Sequence, residues 1–131
     1  MRILITGSNG FIGRNLISQL KNNGYDDLLL FDSSSSIFDL ETFCENCDFV
    51  FHLAGTNRPS HIDEFMKGNF ELTSTLIKLL EKKNNFCPIM LSSSIQANLN
   101  NPYGESKKAS EDTLLNYSKA HNVPVYLYRF P

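Results

Sequence analysis

Short apolar runs alternate along the chain with stretches whose apolar residues recur at three- and four-residue steps. The runs are Arg2–Thr6, Leu28–Phe31, Phe49–Leu53, Ile89–Ser92 and Val125–Tyr128. Unbroken apolar runs of this length read as strands covered on both faces, because in-and-out alternation disappears when neither face meets water. Between them the pattern predicts helices over Phe11–Asn22, Ile37–Glu45, Ile62–Lys83 and Tyr103–His121. Strand followed by helix, repeated, implies right-handed crossovers and therefore an α/β fold with a doubly wound parallel sheet.

The third helix carries the clearest period. Ile62, Phe65, Met66, Phe70, Leu76, Ile77 and Leu80 form one stripe, and Asn69 lies on it. A polar side chain on a buried stripe needs hydrogen-bond partners, so Asn69 is either a structural tie or a site residue. Ile12, Leu16, Ile17 and Leu20 give the first helix its apolar face. Ser33-Ser34-Ser35-Ser36 reads as a flexible polar linker after the second strand. Asn101 is placed to cap the last helix, with Pro102 suited to its first turn.

The chain has 131 residues, 41% of them hydrophobic, enough for one packed core. Its net charge of −2 gives no general attraction to nucleic acid or to an anionic membrane. The apolar runs are too short to span a bilayer. The N-terminus passes straight into a strand rather than a signal peptide, so a cytoplasmic protein is expected. Cys44 and Cys47 have the spacing of a redox or zinc motif, but zinc would require a second pair and only Cys87 remains. Reduced thiols and no metal are the expectation.

Chemistry enters at Gly7-Ser8-Asn9-Gly10-Phe11-Ile12-Gly13, which follows a strand and opens a helix. In that context Gly7 permits a tight turn, Gly10 lets backbone approach a pyrophosphate, and Gly13 allows helix and strand to pack closely. The helix N-terminus turns its amides and its dipole toward the anion. Asn9, Phe11 and Ile12, with the three glycines, are therefore candidate cofactor contacts in an NAD(P)-binding Rossmann fold. Asp32 ends the second strand, where a carboxylate accepts hydrogen bonds from an adenosine ribose and repels a 2′-phosphate. That favours NAD(H), whereas Ser33 and Ser34 offer donors that suit the phosphate of NADP(H). The choice stays open.

Tyr103 and Lys107 stand four residues apart on one helix face. A phenol is a poor acid–base at neutral pH, and a nearby ammonium stabilises its phenolate. Ser92, Ser93 and Ser94 end the fourth strand, at the edge where such sheets bind ligands. Ser94 is the favoured partner of the tyrosine, with Ser93 as its rival.

Gly7-x-x-Gly10-x-x-Gly13, His52-Leu53-Ala54-Gly55, the serine run and Tyr103-Gly104-Glu105-Ser106-Lys107 resemble, in order, the extended short-chain dehydrogenases/reductases, the NAD-dependent epimerase/dehydratase family. The resemblance implies a catalytic triad of Ser94, Tyr103 and Lys107. It also implies that Leu53, Ala54 and Gly55 lie along the cofactor, and that Asn69 supports the site. A narrower likeness rests on His52–Pro59, Gly68-Asn69, Leu91–Ala97 and Asn101–Lys107. These segments resemble the reductase half of bifunctional capsular-polysaccharide enzymes. That likeness implies reduction of a UDP-linked 4-keto-6-deoxy-hexosamine by a longer enzyme, of which residues 1–131 form one N-terminal domain that is expected to be inactive or nearly so alone. A C-terminal cupin domain and a homodimer are the partners it allows. Nucleotide-sugar epimerase or dehydratase activity is the nearest rival, and a non-catalytic dinucleotide-binding module the second. Common 4,6-dehydratases carry an acidic pair after the strand serine, where this chain has Ile95, Gln96 and Ala97.

Overall fold

The computed structural model of the chain describes residues 1–55 and 65–131. All five expected strands form: β1 (Ile3–Thr6), β2 (Leu28–Phe31), β3 (Phe49–His52), β4 (Ile89–Ser94) and β5 (Val125–Phe130). They pair in parallel in the order β2-β1-β3-β4-β5. The helices are α1 (Phe11–Asn22), α2 (Ile37–Asn46), α3 (Leu72–Lys82) and α4 (Pro102–His121).

The strand order contains one reversal. The chain leaves β1 for β2 on one side, then crosses back to place β3 on the other side of β1. Right-handed crossovers consequently put α1 on one face of the sheet and α2, α3 and α4 on the opposite face. The core lies under that second layer. Leu4, Val50, Ile89 and Leu91 from the strands meet Leu40, Cys44, Leu76, Leu80, Leu114 and Tyr117 from the helices, all of them buried. Cys44, Cys47 and Cys87 are free thiols buried within this core.

Local chemistry explains several boundaries and corrects three expectations. The supposed linker Ser33–Ser36 is ordered by its own side chains. Asp32 accepts from the Ser34 amide and hydroxyl at 2.8 and 2.6 Å. Ser36 and Asp39 form a reciprocal capping box on α2, so the serines act as turn and cap residues. The single helix expected over Ile62–Lys83 is not one α-helix. Its described part opens with a π-helical segment, Met66–Glu71, that carries Asn69 and runs on into α3, while Ile62 lies outside the described residues. The α1 stripe is shallower than its sequence suggests. Only Gly13 is buried on that helix; Leu16, Ile17 and Leu20 are half-buried and Ile12 is exposed. At the other end, Asn101 caps α4 by accepting from the Gly104 amide at 2.7 Å, with Pro102 as the first helical residue.

Leu76 has no exposed surface and belongs to the core cluster that also holds Leu40 and Cys44 of α2 and Leu4, Val50 and Ile89 of the sheet. Leu76→Ala should lower unfolding stability by ~2–5 kcal/mol in urea denaturation, the cost of lost burial plus a cavity. A loss below about 1 kcal/mol would show that this layer is not the core.

Candidate active site

The strand-order reversal leaves a crevice at the carboxyl ends of β1 and β3, the place where doubly wound sheets receive ligands. Two loops line it. Gly7, just after β1, has φ +70°, and a Cβ there would stand 2.7 Å from the Ala54 amide nitrogen. A Cβ on Gly13 would come within 2.3 Å of the Gly7 carbonyl oxygen. Both positions therefore demand glycine, one for its dihedral and its neighbour, the other for packing of α1 on the turn. Gly10 has only the Gly7 oxygen near its missing Cβ, at 3.4 Å, and faces open space.

A groove of about 420 Å³ runs over this turn, lined by Gly7, Asn9, Gly10, Asp32, Ser33, Leu53, Ala54 and Gly55. Eight of the residues singled out as cofactor contacts thus share one groove. Asp32 closes its far end and accepts from the Asn9 side chain at 3.2 Å. Hydrogen bonds from the Ser34 side chain and backbone hold the Asp32 carboxyl below its usual range, so it carries full negative charge at neutral pH. Sequence reasoning missed Phe31, Ser35, Gly68 and Leu72 in the same groove. Phe31 was legible only as a strand residue, and Gly68 only as the neighbour of Asn69.

A second cavity, about 250 Å³, meets the first at Leu53 and Gly55. Ser92, Ser93, Ser94, Tyr103, Lys107, Ile12 and the terminal Phe130 and Pro131 line it. β4 runs two residues beyond its expected end, and this carries Ser94 to the cavity. Ser94 Oγ accepts from the Gln96 amide at 3.1 Å, capping the 3-10 turn Ile95–Asn98, and its own proton can still be donated. Ser93 is differently engaged. Its hydroxyl donates to Glu111 at 2.6 Å in the interior, which disfavours it as the reacting serine. Glu111 is also gripped by Arg129 through two hydrogen bonds of 2.9 and 2.7 Å. Burial opposes the Glu111 charge, but the bonds from Arg129 and Ser93 outweigh it and hold the carboxyl below its ordinary value.

Lys107 is buried, and its Nζ donates to the Ser92 carbonyl at 3.2 Å while lying 5.7 Å from the Tyr103 ring centroid. Phe65 packs its ring edge-on against Tyr103, 5.4 Å between centroids. Burial brings the Lys107 amine down to about 8, with the Glu111 charge acting in the opposite direction. The amine is still mainly an ammonium at neutral pH.

Three expected contacts do not line either cavity. Phe11 is 85% exposed at the start of α1, Gly13 is buried beneath the turn, and Asn69 is buried behind Gly55. A Cβ on Gly55 would lie 2.7 Å from Asn69 Oδ1 and 3.1 Å from Lys107 Nζ, so Asn69 supports the groove from below. Thr56, Asn57, Arg58 and Pro59 of the motif after β3 lie outside the described residues. No helix among the described residues is long and apolar enough to cross a membrane.

The sequence model of the NAD dependent epimerase/dehydratase family matches residues 3–131. A UDP-2-acetamido-2,6-beta-L-arabino-hexul-4-ose reductase of Pseudomonas aeruginosa is 41% identical over the whole chain, which spans 35% of that relative. A dTDP-6-deoxy-L-talose 4-dehydrogenase (NAD(+)) of Aggregatibacter actinomycetemcomitans is 35% identical over 98 residues, covering 56% of the chain and 36% of that protein. Among solved structures, the capsular polysaccharide assembling protein CapF of Staphylococcus aureus superposes with TM-score 0.85 at 39% identity, over all of this chain and 36% of its own. The chain thus spans about a third of the length of these relatives.

The Lys107 amine gives a direct check on this geometry. It should titrate with a midpoint near pH 8, read from the NMR shift of its ε-carbon, and a midpoint at the ordinary 10.5 would contradict its burial. Between those values the unfolded chain binds more protons than the folded one. The penalty of the buried charge is therefore full below pH 8 and fades as pH rises to 10.5.

Proposed function

The chain belongs to the NAD dependent epimerase/dehydratase family, and from that premise we propose that it is the dinucleotide-binding part of an NAD(P)H-dependent reductase. Its substrate on this reading is a UDP-linked 4-keto-6-deoxy-hexosamine, in the synthesis of a capsular or surface polysaccharide. Residues 1–131 then form one domain, the N-terminal part of a longer cytoplasmic enzyme whose remainder closes over the sugar. Three buried free thiols accord with a reducing compartment. A C-terminal cupin domain and a homodimer complete the proposal. The relative from Pseudomonas aeruginosa, named for a 4-keto UDP-sugar, supports the substrate class.

One observation carries the reading: the glycine-turn groove adjoins the cavity lined by Ser94, Tyr103 and Lys107, with Leu53 and Gly55 in the walls of both. The groove fits a dinucleotide on structural grounds. Its glycine turn has no room for side chains at Gly7 and Gly13, while Gly10 stands open toward the groove. Gly7, Asn9 and Gly10 would hold the pyrophosphate at the α1 N-terminus, and Asp32 the adenosine ribose. Leu53, Ala54 and Gly55 would flank the rest. The bound cofactor supplies the hydride.

The chain's own residues supply position and protons. Ser94 donates its hydroxyl hydrogen to the substrate ketone oxygen. Tyr103 gives its phenol proton to that oxygen as it becomes an alkoxide. The Lys107 ammonium, fixed by the Ser92 carbonyl, favours the resulting phenolate and can hold a ribose hydroxyl. Dehydration is disfavoured, because the 3-10 turn after Ser94 presents Ile95, Gln96 and Ala97, none of which can act as an acid or base. Reductase and epimerase differ in that only the reductase consumes NAD(P)H stoichiometrically.

In the intact enzyme, Tyr103→Phe should lower kcat about 10²–10⁴-fold, the worth of a positioned proton donor, with little change in sugar KM. Activity retained within a few-fold would remove Tyr103 from the chemistry. For the cofactor, the charged Asp32 should make NADH bind more tightly than NADPH. Asp32→Ala should shift that preference toward NADPH by roughly tenfold, about 1.4 kcal/mol. Affinities that are equal and unmoved by the substitution would take Asp32 out of the site.

A further inference from the structure

His52 ends β3 and has no exposed surface, yet neither cavity touches it. Its two ring nitrogens bond to two threonine hydroxyls, Nδ1 to Thr6 at 2.6 Å and Nε2 to Thr73 at 2.9 Å. The neighbours decide which nitrogen carries the proton. Thr73 Oγ1 lies 2.6 Å from the Asn69 carbonyl oxygen, and a carbonyl can only accept, so the Thr73 hydrogen points there. Thr73 must then accept from His52, which fixes the proton on Nε2. The bare Nδ1 in turn accepts the Thr6 hydroxyl hydrogen. Thr6 Oγ1 accepts from the Ala54 amide at 3.1 Å.

The result is a single directed line of donors: Ala54 amide to Thr6, Thr6 to His52, His52 to Thr73, Thr73 to the Asn69 carbonyl. A second branch ties Asn69 to α4. Its Nδ2 donates to Ser106 Oγ at 2.9 Å, and the Ser106 hydroxyl donates to the Tyr103 carbonyl at 2.7 Å. Ser110 adds a bond of 2.8 Å to the Asn69 oxygen. A protonated ring would put hydrogens on both nitrogens and strand the Thr6 hydrogen. Burial, followed by the charge of Lys107 on α4, pushes His52 down to about 3 and keeps it neutral.

The line starts at the groove lining and ends at the Asn69 carbonyl, and the Ser106 and Ser110 bonds join Asn69 to the helix of Tyr103 and Lys107. Beside this line, a Cβ on Gly55 would lie 2.7 Å from Asn69 Oδ1 and 3.1 Å from Lys107 Nζ, so this edge, the π turn and the lysine pack closely. We propose that His52, locked as the neutral Nε2–H tautomer, is a positioning residue for the dinucleotide site: it spaces the Ala54–Gly55 edge from the Asn69 π turn and thereby aligns Lys107 at the junction of the two cavities. This inference rests on the dinucleotide reading above. It concerns the Gly55 end of the groove and leaves the Gly7–Asp32 end untouched.

Two measurements on the chain test it. In ¹⁵N spectra of the labelled histidines, His52 should show a protonated Nε2 and a bare Nδ1, unchanged from about pH 5 to about pH 9. A ring that titrates near its ordinary value of about 6.5, or one protonated at Nδ1, would overturn the inference. Calorimetric titration with NADH and with ADP then separates the two ends of the groove. Thr73→Val, close in shape but without the hydroxyl, should weaken NADH binding roughly tenfold and leave ADP binding unchanged, and Thr73→Ser should restore NADH affinity. NADH affinity unchanged in Thr73→Val, or NADH and ADP weakened equally, would reduce His52 to a bystander of the fold. An unsubstituted chain that binds neither molecule would instead sink the dinucleotide reading itself.

Discussion

The structure depends on how closely the chain leaving β1 passes the chain leaving β3. Gly7 lies against the backbone of Leu53 and Ala54 with no room for a Cβ, and Gly13 lies against Gly7 with even less. This double contact fixes the height of α1 above the sheet, the aim of its N-terminal amides and the floor of the groove. It arises from topology, because the crossing from β2 back to β3 leaves the two loops facing each other across the sheet edge. A larger residue at either glycine would have to push backbone aside, and with it the whole groove.

From that edge the catalytic candidates are set by two kinds of support. Lys107 and Tyr103 are held by their helix, and the helix is tied to the sheet by Glu111. That carboxylate joins α4 to Ser93 on β4 and to Arg129 on β5. A buried carboxylate is tolerable here because Arg129 and Ser93 supply three hydrogen bonds. The second support is uncharged. Threonine, histidine, serine and asparagine side chains run from Ala54 to α4, and no buried polar side-chain atom among the described residues lacks a partner. The two networks flank Lys107, one through Ser93 and Glu111, the other through Asn69 and Gly55. Removing this amine from water costs it charge stability, which the neighbouring carboxylate partly returns.

Much of this was legible in the sequence. The five apolar runs mark the strands because parallel strands are covered on both faces, and the glycine spacing marks the turn because only glycine fits it. Tyr103 and Lys107 could be paired from their spacing, Ser94 was favoured over Ser93 with the family resemblance completing the set, and all three line one cavity. Other features were hidden for physical reasons. A π turn has no periodic signature that distinguishes it from an α-helix, so Met66–Glu71 read as part of one helix over Ile62–Lys83. The serine run looked disordered by composition, whereas Asp32 and Asp39 organise it through local hydrogen bonds. Ile12 read both as part of an apolar helix face and as a cofactor contact, and it lines the second cavity. His52 appeared only as part of a motif, since its partners lie 46 and 21 residues away.

The central claim is that two adjoining cavities together receive a dinucleotide, from Asp32 in one to Lys107 in the other. Amide and side-chain shift mapping of the chain during NADH titration tests it most directly. Shifts should move together at Gly7–Gly10, at Asp32 and Ser33, at Ala54 and Gly55, and at the Lys107 ammonium. Shifts confined to one end, or scattered over the outer faces of α3 and α4, would contradict the account.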